Sequence, residues 1–190
     1  NCNELCCAFL QSSFPMERLI IVKKVLGLLT IALAIVFLFI PVFPVFSFTE
    51  ARTEHPTMYY LALEDEPRFQ IVFTHSIHLS DVIETYEVMN TYDIRLHSMV
   101  YSDVAIGMPS YAEEGQTLIY EDGKYTLYYD EAILPNFTLY IGDIDYVLKF
   151  QYEEESYDLK GNLSRGKSYL FEIKEVSIYD KMKGVELNGG

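Results

Sequence analysis

The pattern of apolar and polar positions divides the chain into two parts near Phe48. No residue from Val25 to Phe48 is charged. A helix from Val25 to Ile40 would be about 24 Å long, and one that continued to Phe48 would be about 36 Å long. These lengths bracket the hydrocarbon core of a bilayer, which is about 30 Å thick. The pattern therefore predicts one N-terminal transmembrane helix, whose end Pro41 and Pro44 make irregular.

After Thr49, short apolar runs alternate with polar positions and are separated by turn residues, as is typical of β-strands. Asp122 and Gly123 stand between two such runs and predict a tight hairpin turn. Gly142 and Asp143 repeat this pattern, whereas residues 151–167 are polar and are expected to form an exposed loop. With no convincing helix in this part, we predict an all-β domain, a small antiparallel β-sandwich or barrel of about nine strands.

Three regions follow from this division. Residues 1–15 lack an initiator Met and match no targeting pattern, so we expect them to be a non-native upstream extension. Residues 16–48 are predicted to form a cytoplasmic basic flank and a transmembrane anchor, and residues 49–190 an extracytoplasmic β-domain. All three cysteines precede Met16, which leaves the β-domain without a disulfide, a zinc knuckle or a thiol nucleophile.

Charge is distributed unevenly between these regions. The formal net charge is −14, and because three basic and two acidic residues precede Thr49 (+3 − 2 = +1), the rest of the chain carries −15. An acidic domain repels nucleic acid and anionic lipid surfaces. We therefore expect no nucleic-acid partner.

The flanking charges predict an orientation in the cell membrane. Arg18, Lys23 and Lys24 precede the apolar segment, while Arg52 on the far side is accompanied by acidic residues. The positive-inside rule then places the N-terminus in the cytoplasm and the single-pass protein's C-terminal domain outside.

A cleaved signal peptide is the rival interpretation of the apolar segment. Val45 and Ser47 are small residues at a potential cleavage site. The segment is longer than the usual apolar region of about 7 to 15 residues in a signal peptide, which favours an uncleaved anchor.

Candidate chemistry is concentrated between Phe73 and Val88. Alternation places His75 on one face of its strand with Phe69, and Glu84 on one face of the next strand with Tyr86. If the two strands pair around a loop over residues 76–83, His75 and Glu84 face inward near the same end of the hairpin and could share a hydrogen bond.

Three interpretations of this pair are open. The first is a structural contact that holds the hairpin, and the second is recognition of a small ligand or partner segment by His75, Ser76 and Glu84. The third is metal binding or acid/base catalysis. His78 and Asp81 would add ligands, but His75 and His78 are not spaced to bring both rings to one face, so no metal or other cofactor is predicted. Ser76 lacks a glycine-flanked elbow, and no catalytic residue is predicted.

A second distinctive segment spans residues 102–116. Gly107, Met108 and Pro109 predict an irregular loop in which the backbone turns sharply or approaches another group closely. It is either a plain connection or one wall of a cleft, whose other wall is the loop over residues 76–83. Gly107 and Pro109 therefore join the candidate binding residues.

Several of these residues resemble the bacterial domain-of-unknown-function family 1850. The resemblance rests on residues 73–76, on Glu84 and Tyr86, and on residues 107–109, and it extends from about residue 58 to about residue 175. It supplies no catalytic residues.

The resemblance implies a context, because similar proteins are associated with TAXI-type TRAP transporters, which pair an extracytoplasmic solute receptor with membrane subunits. It thus implies a non-enzymatic accessory or binding module whose partners are TRAP transporter subunits. The alternatives are a metal-dependent or acid/base enzyme centred on His75 and Glu84, and a purely structural membrane-associated module.

Overall fold

The computed structural model describes residues 14–77, 79–104 and 107–189. An apolar helix, α1 (Phe14–Phe37), precedes a domain built from two β-sheets. In chain order, the strands are β1 Phe43–Glu50, β2 Met58–Ala62, β3 Arg68–Thr74, β4 Asp81–Val88, β5 Ile94–Tyr101, β6 Gln116–Glu121, β7 Lys124–Leu134, β8 Phe137–Tyr140, β9 Leu148–Tyr152, β10 Glu155–Asp158, β11 Ser168–Val176 and β12 Val185–Glu186. Two short helices, α2 (Leu159–Asn162) and α3 (Ile178–Lys183), flank β11.

The two sheets pack face to face as a β-sandwich. One sheet has the strand order β12-β2-β1-β11-β8, and the other has the order β10-β9-β3-β4-β5-β7-β6. All neighbouring strands are antiparallel except β12 and β2. The predicted all-β class is confirmed, with twelve strands in the described part of the chain instead of about nine and with two short helices that were not predicted.

Aromatic rings fill the space between the sheets. Phe46 of β1 contacts Phe69 and Phe150 of the opposite sheet, at ring-centroid distances of 5.2 Å and 5.1 Å. Phe48 lies 5.6 Å from Phe150 in an edge-to-face arrangement. Phe46 and Phe48 are completely buried, so these rings explain how a domain without tryptophan forms a dense core.

The apolar helix is present but shorter than the apolar run. The stretch from Arg18 to Phe37 is long and apolar enough to cross a membrane, with a mean hydropathy of 2.5 over its most apolar window and no part of that window buried in the protein. The prediction that the anchor extends to residue 48 differs from the structure, because Phe43–Glu50 is the central strand β1 of one sheet. Apolar residues suit both a membrane helix and a fully buried strand, so the sequence pattern did not separate the two.

The predicted turn at Asp122 and Gly123 is confirmed. Both residues have positive φ angles, 49° and 76°, and Glu121 pairs with Lys124 across the turn. This is the geometry that tight two-residue hairpins require.

The second predicted hairpin, around Gly142, is wrong. β8 pairs with β11 in one sheet whereas β9 pairs with β3 in the other, so the chain crosses between the sheets at this point. The expectation of an exposed loop over residues 151–167 is also wrong. This stretch contains β10 and α2, and it buries Tyr157, Leu159 and Leu163.

The sandwich has two distinct ends. Five residues separate the end of α1 from the start of β1, and Phe46 near the start of β1 contacts Phe69 near the start of β3. Later in the strands, Phe48 contacts Phe150, which pairs with Ile71. β1 and β3 therefore run in the same direction away from α1. The described residues of the loops between β3 and β4 and between β5 and β6, and the turn at residues 122–123, lie at the opposite end, called the distal end below.

Candidate functional site

Glu84 and Tyr86 form a polar contact on the inward face of β4. The Tyr86 hydroxyl donates a 2.7 Å hydrogen bond to Glu84 Oε2. The Tyr86 ring is stacked between Phe69 at 5.1 Å and Phe137 at 5.5 Å. The register with β5 shifts between Thr85 and Tyr86, a bulge of the kind that redirects side chains near functional sites.

Burial changes the acidity of this pair. It raises the pKa of the Glu84 carboxyl, and the Tyr86 hydroxyl opposes this by donating to the charged form. Burial, together with the neighbouring Glu84 charge, also raises the pKa of Tyr86. The pKa of Tyr129 on β7 is raised by burial and then by Glu84 and Tyr101. These groups form a polar strip along the inner face of the larger sheet.

Met108 and Pro109, in the loop between β5 and β6, cover one end of this strip. The Tyr101 hydroxyl donates a 2.7 Å hydrogen bond to the carbonyl of Pro109. Met108 packs against the cluster formed by Val82, Tyr101 and Leu127. The loop is therefore held against the sheet at both a polar and an apolar point.

His75 and Gly107 lie against each other at the distal end. Gly107 has a φ of +91°, and a Cβ atom placed on it would lie 3.4 Å from His75 Nε2. Glycine adopts this backbone conformation without the steric cost that other residues incur. The two loops predicted as opposite walls of a cleft thus approach each other at these two residues.

An open cleft of about 400 Å³ lies beside this contact. It is lined by Gly107, Met108, Pro109, Ser110, Tyr111, Glu113, Gln116, Leu127 and Tyr129. Leu127 and Tyr129 supply its floor from β7, and the loop supplies its wall. Its size is within the range of small-molecule sites, of about 300 to 1,000 Å³.

The hairpin loop after β3 is tight and presents apolar side chains to solvent. The His75 amide donates to the Ser80 carbonyl at 2.9 Å, and the Leu79 amide donates to the His75 carbonyl at 2.9 Å. Leu79 has a φ of +53° and is 63% exposed, and Ile77 is 57% exposed. A leucine in the left-handed region is unusual, and such conformations concentrate at functional loops.

The structure separates His75 from Glu84. β4 already begins at Asp81, so the loop is shorter than the predicted range 76–83. Glu84 consequently pairs with Ile71. The four residues from Ile71 to His75 correspond to roughly 13 Å along a strand. Glu84 faces inward as predicted, where it contacts Tyr86, but its register places it opposite Ile71 and not beside His75.

The other candidate residues lie around the hairpin loop. Ser76 is exposed next to His75. Asp81 accepts a 2.9 Å hydrogen bond from the Thr74 hydroxyl and closes the strand ends, while His78 lies outside the described residues. Within the described ranges, no group of three or more His, Cys, Asp or Glu side chains could hold a metal ion.

Tyr129 and Tyr101 are site residues that sequence reasoning missed. The alternation of Tyr125, Leu127 and Tyr129 on β7 marks one face of a strand, which is the available signal. It could not indicate which face is inward or that β7 lies close to Glu84.

These features define a small antiparallel β-sandwich with an N-terminal apolar helix and an open, partly aromatic cleft at its distal end. Residues 69–159 match the family described as Domain of unknown function (DUF1850). The match covers the chain from β3 through the start of α2, and it confirms the resemblance for this part. Comparisons with curated proteins and with solved structures find no match to the chain.

Proposed function

We propose that this protein is a single-pass, membrane-anchored, extracytoplasmic binding module, a non-enzymatic accessory of a TAXI-type TRAP transporter. The observation that carries the proposal is the placement of the cleft and the apolar hairpin loop at the distal end, opposite the end that α1 joins. A module built in this way reaches a partner beyond the membrane surface while its anchor keeps it nearby.

The length and charges of α1 support the anchor. Its candidate membrane span, the 20 residues Arg18–Phe37, corresponds to about 30 Å of helix, the thickness of the hydrocarbon core. The basic residues Arg18, Lys23 and Lys24 lie near its N-terminal end, which favours a cytoplasmic N-terminus and an exported domain.

The position of β1 argues against the cleavage site that the rival interpretation requires. Val45 and Ser47 are completely buried within β1, which pairs with β2 on one side and with β11 on the other. A cut after Ser47 would remove more than half of a central strand, including Phe46. An uncleaved anchor preserves that strand.

The distal surface suits a polypeptide partner. Ile77, Leu79 and Tyr111 are 57%, 63% and 68% exposed, and they lie on the two loops that meet at the contact between His75 and Gly107. Exposed apolar side chains beside a cleft are typical of protein-interaction sites, and their burial on binding supplies affinity. The family resemblance points to a subunit of a TRAP transporter as that partner.

Affinity capture of the full-length chain from gently solubilised host membranes tests the proposal. We expect a TRAP transporter subunit to be recovered with it. The double variant Ile77→Asn and Leu79→Asn should reduce recovery by about tenfold or more, because apolar anchors of this kind dominate binding energies. Asparagine tolerates the left-handed conformation of Leu79, so the loop should keep its shape.

Ile133→Asn with Leu134→Asn is the matched control. These side chains are 46% and 41% exposed, but they lie at the other end of the larger sheet, where Ile94 pairs with Leu134. Their substitution should leave recovery unchanged. Capture that yields no transporter subunit, under conditions that retain other membrane complexes, would overturn the proposal, as would equal losses in both double variants.

A further inference from the structure

The last short helix, α3, is attached to the chain segment that follows α1. The Tyr179 amide donates a 3.0 Å hydrogen bond to the carbonyl of Leu38, and the Tyr179 ring lies 4.9 Å from the Phe39 ring. A second backbone hydrogen bond joins the Val42 amide to the Val176 carbonyl at 3.2 Å. These contacts connect the end of α1 to a part of the domain that is distant in sequence.

Both ends of α3 are fixed, the first by a capping box and the second by close contact with the sheet. Ser177 and Asp180 form a capping box, with the Asp180 amide donating to Ser177 Oγ at 3.1 Å and the Ser177 amide donating to Asp180 Oδ2 at 3.0 Å. Gly184 ends the helix so close to the sheet that a Cβ atom there would lie 3.0 Å from Tyr60 Cδ1. The orientation of α3 on the sandwich is therefore fixed.

The position of α3 along the chain sets its depth relative to a bilayer. The candidate span ends at Phe37, and its 20 residues correspond to about 30 Å of helix when the apolar stems of Lys23 and Lys24 carry their charges to the headgroups of the opposite side. Leu38, which accepts the hydrogen bond from Tyr179, is the next residue. The segment Leu38–Phe43 and α3 consequently lie at the level of the lipid headgroups whenever α1 crosses the membrane.

The free side of α3 has the composition of a membrane interface. Met182 is 77% exposed and Tyr179 is 40% exposed, while Phe39 on the adjoining segment is 55% exposed. Lys183 Nζ lies 4.9 Å from the centroid of the Tyr179 ring, and Lys181 Nζ lies 5.4 Å from that of Phe43. Aromatic rings and lysines with apolar stems are favoured at the headgroup level, where one end is apolar and the other is hydrated.

We propose that α3, with Tyr179, Met182 and Lys183, rests in the headgroup region of the bilayer that α1 crosses and holds the sandwich in a fixed orientation on it. The inference rests on the proposed membrane anchoring. The occupant is a zwitterionic phospholipid surface, because the domain as a whole is acidic and the Asp180 carboxylate stands near Lys183. A fixed orientation would keep the distal cleft pointing away from the membrane.

Depth-dependent fluorescence quenching in reconstituted vesicles tests this directly. The chain contains no tryptophan, so Met182→Trp in the full-length chain introduces a single reporter. The vesicles are phosphatidylcholine containing phospholipids brominated at shallow or deep acyl positions. Because interfacial groups lie about 5 to 10 Å into the headgroup and acyl boundary, we expect shallow bromines to cause a loss of emission of about twofold.

Two further single-reporter variants make the outcome decisive. Leu33→Trp reports on α1, where Leu33 is 71% exposed. Ile144→Trp reports on the distal end: Ile144 is 61% exposed and precedes β9, where the Thr74 amide at the end of β3 donates to the Val147 carbonyl. Quenching of Leu33→Trp and Met182→Trp but not of Ile144→Trp supports the inference. Quenching of Leu33→Trp alone overturns it and leaves the anchor intact, whereas no quenching of Leu33→Trp overturns the anchoring itself.

Discussion

The Tyr86 hydroxyl donates a 2.7 Å hydrogen bond to Glu84 Oε2, and the two side chains lie two residues apart on the same inward face of β4. Tyr86 is stacked between Phe69 and Phe137, so the hydroxyl has a fixed position. The contact joins a largely buried carboxylate to the aromatic core beside the cleft. Its loss should therefore be measurable in both the stability of the domain and its pH dependence.

Tyr86→Phe should reduce the free energy of unfolding at neutral pH by about 1.5 to 3 kcal/mol, because it removes the donor to a charged acceptor and leaves that carboxylate poorly solvated. Urea denaturation of the full-length chain in detergent checks this. Tyr128→Phe is the control, since that ring lies on the opposite face and is 37% exposed. It should change the free energy by less than about 0.5 kcal/mol. Similar small effects in both variants would contradict a stabilising role for the contact.

Glu84→Gln should alter the pH dependence of stability. Burial raises the pKa of Glu84 above its ordinary 4.5 in the folded protein, so the folded state binds the proton more tightly than the unfolded chain. The wild-type protein therefore loses stability as pH rises from 4.5 through the raised pKa. Glutamine does not titrate, so the stability of Glu84→Gln relative to wild type should increase over that window and then level off.

Urea unfolding at several pH values, from about pH 4 to about pH 8, measures this difference. Tyr86→Phe is a useful second variant because the hydrogen bond that lowers the Glu84 pKa is absent from it. In that variant the loss of stability should extend to higher pH than in the wild type. A difference between Glu84→Gln and wild type that stays constant across the range would contradict the prediction.

Gly107→Val should disturb the contact with His75, whereas Gly115→Val should not. Both glycines have positive φ angles, +91° and +75°, so both variants incur backbone strain, of about 1 to 2 kcal/mol. Only at Gly107 would a Cβ atom meet another side chain, His75 Nε2 at 3.4 Å, because nothing lies within 4 Å at Gly115. We expect a larger loss of thermal stability for Gly107→Val and changed His75 ring chemical shifts. Equal behaviour of the two variants would argue against a close contact.

Phe46→Ala should destabilise the sandwich by about 3 to 5 kcal/mol, the usual cost of removing a large buried ring. Phe46 contacts Phe69, Phe150, Tyr152 and Phe171 at centroid distances from 4.8 to 6.2 Å. Phe37→Ala is the control, because Phe37 is 54% exposed on α1. Denaturation followed through the β-sheet signal should respond to the first substitution only. A response to neither would place Phe46 outside the folded core.

The candidate site could be predicted in part. Alternation correctly placed Glu84 and Tyr86 on one inward face, and Gly107 signalled a close backbone approach, which the structure assigns to His75. The register was not predictable, because strand period determines which face a side chain occupies but not how many residues a loop contains. A loop shorter than expected moves Glu84 opposite Ile71. Tyr129 comes close to Glu84 only because β7 pairs with β5.

The sequence by itself determined the apolar helix, the all-β class and the turn at Asp122 and Gly123, since these depend on hydropathy, local periodicity and backbone preference within a few residues. Only the tertiary structure decided that Phe43–Glu50 is a central strand, that β8 and β9 belong to different sheets, and that His75 meets Gly107. These outcomes depend on which apolar faces bury each other across the sandwich. That choice is made by packing between segments far apart in the chain, and no local pattern encodes it.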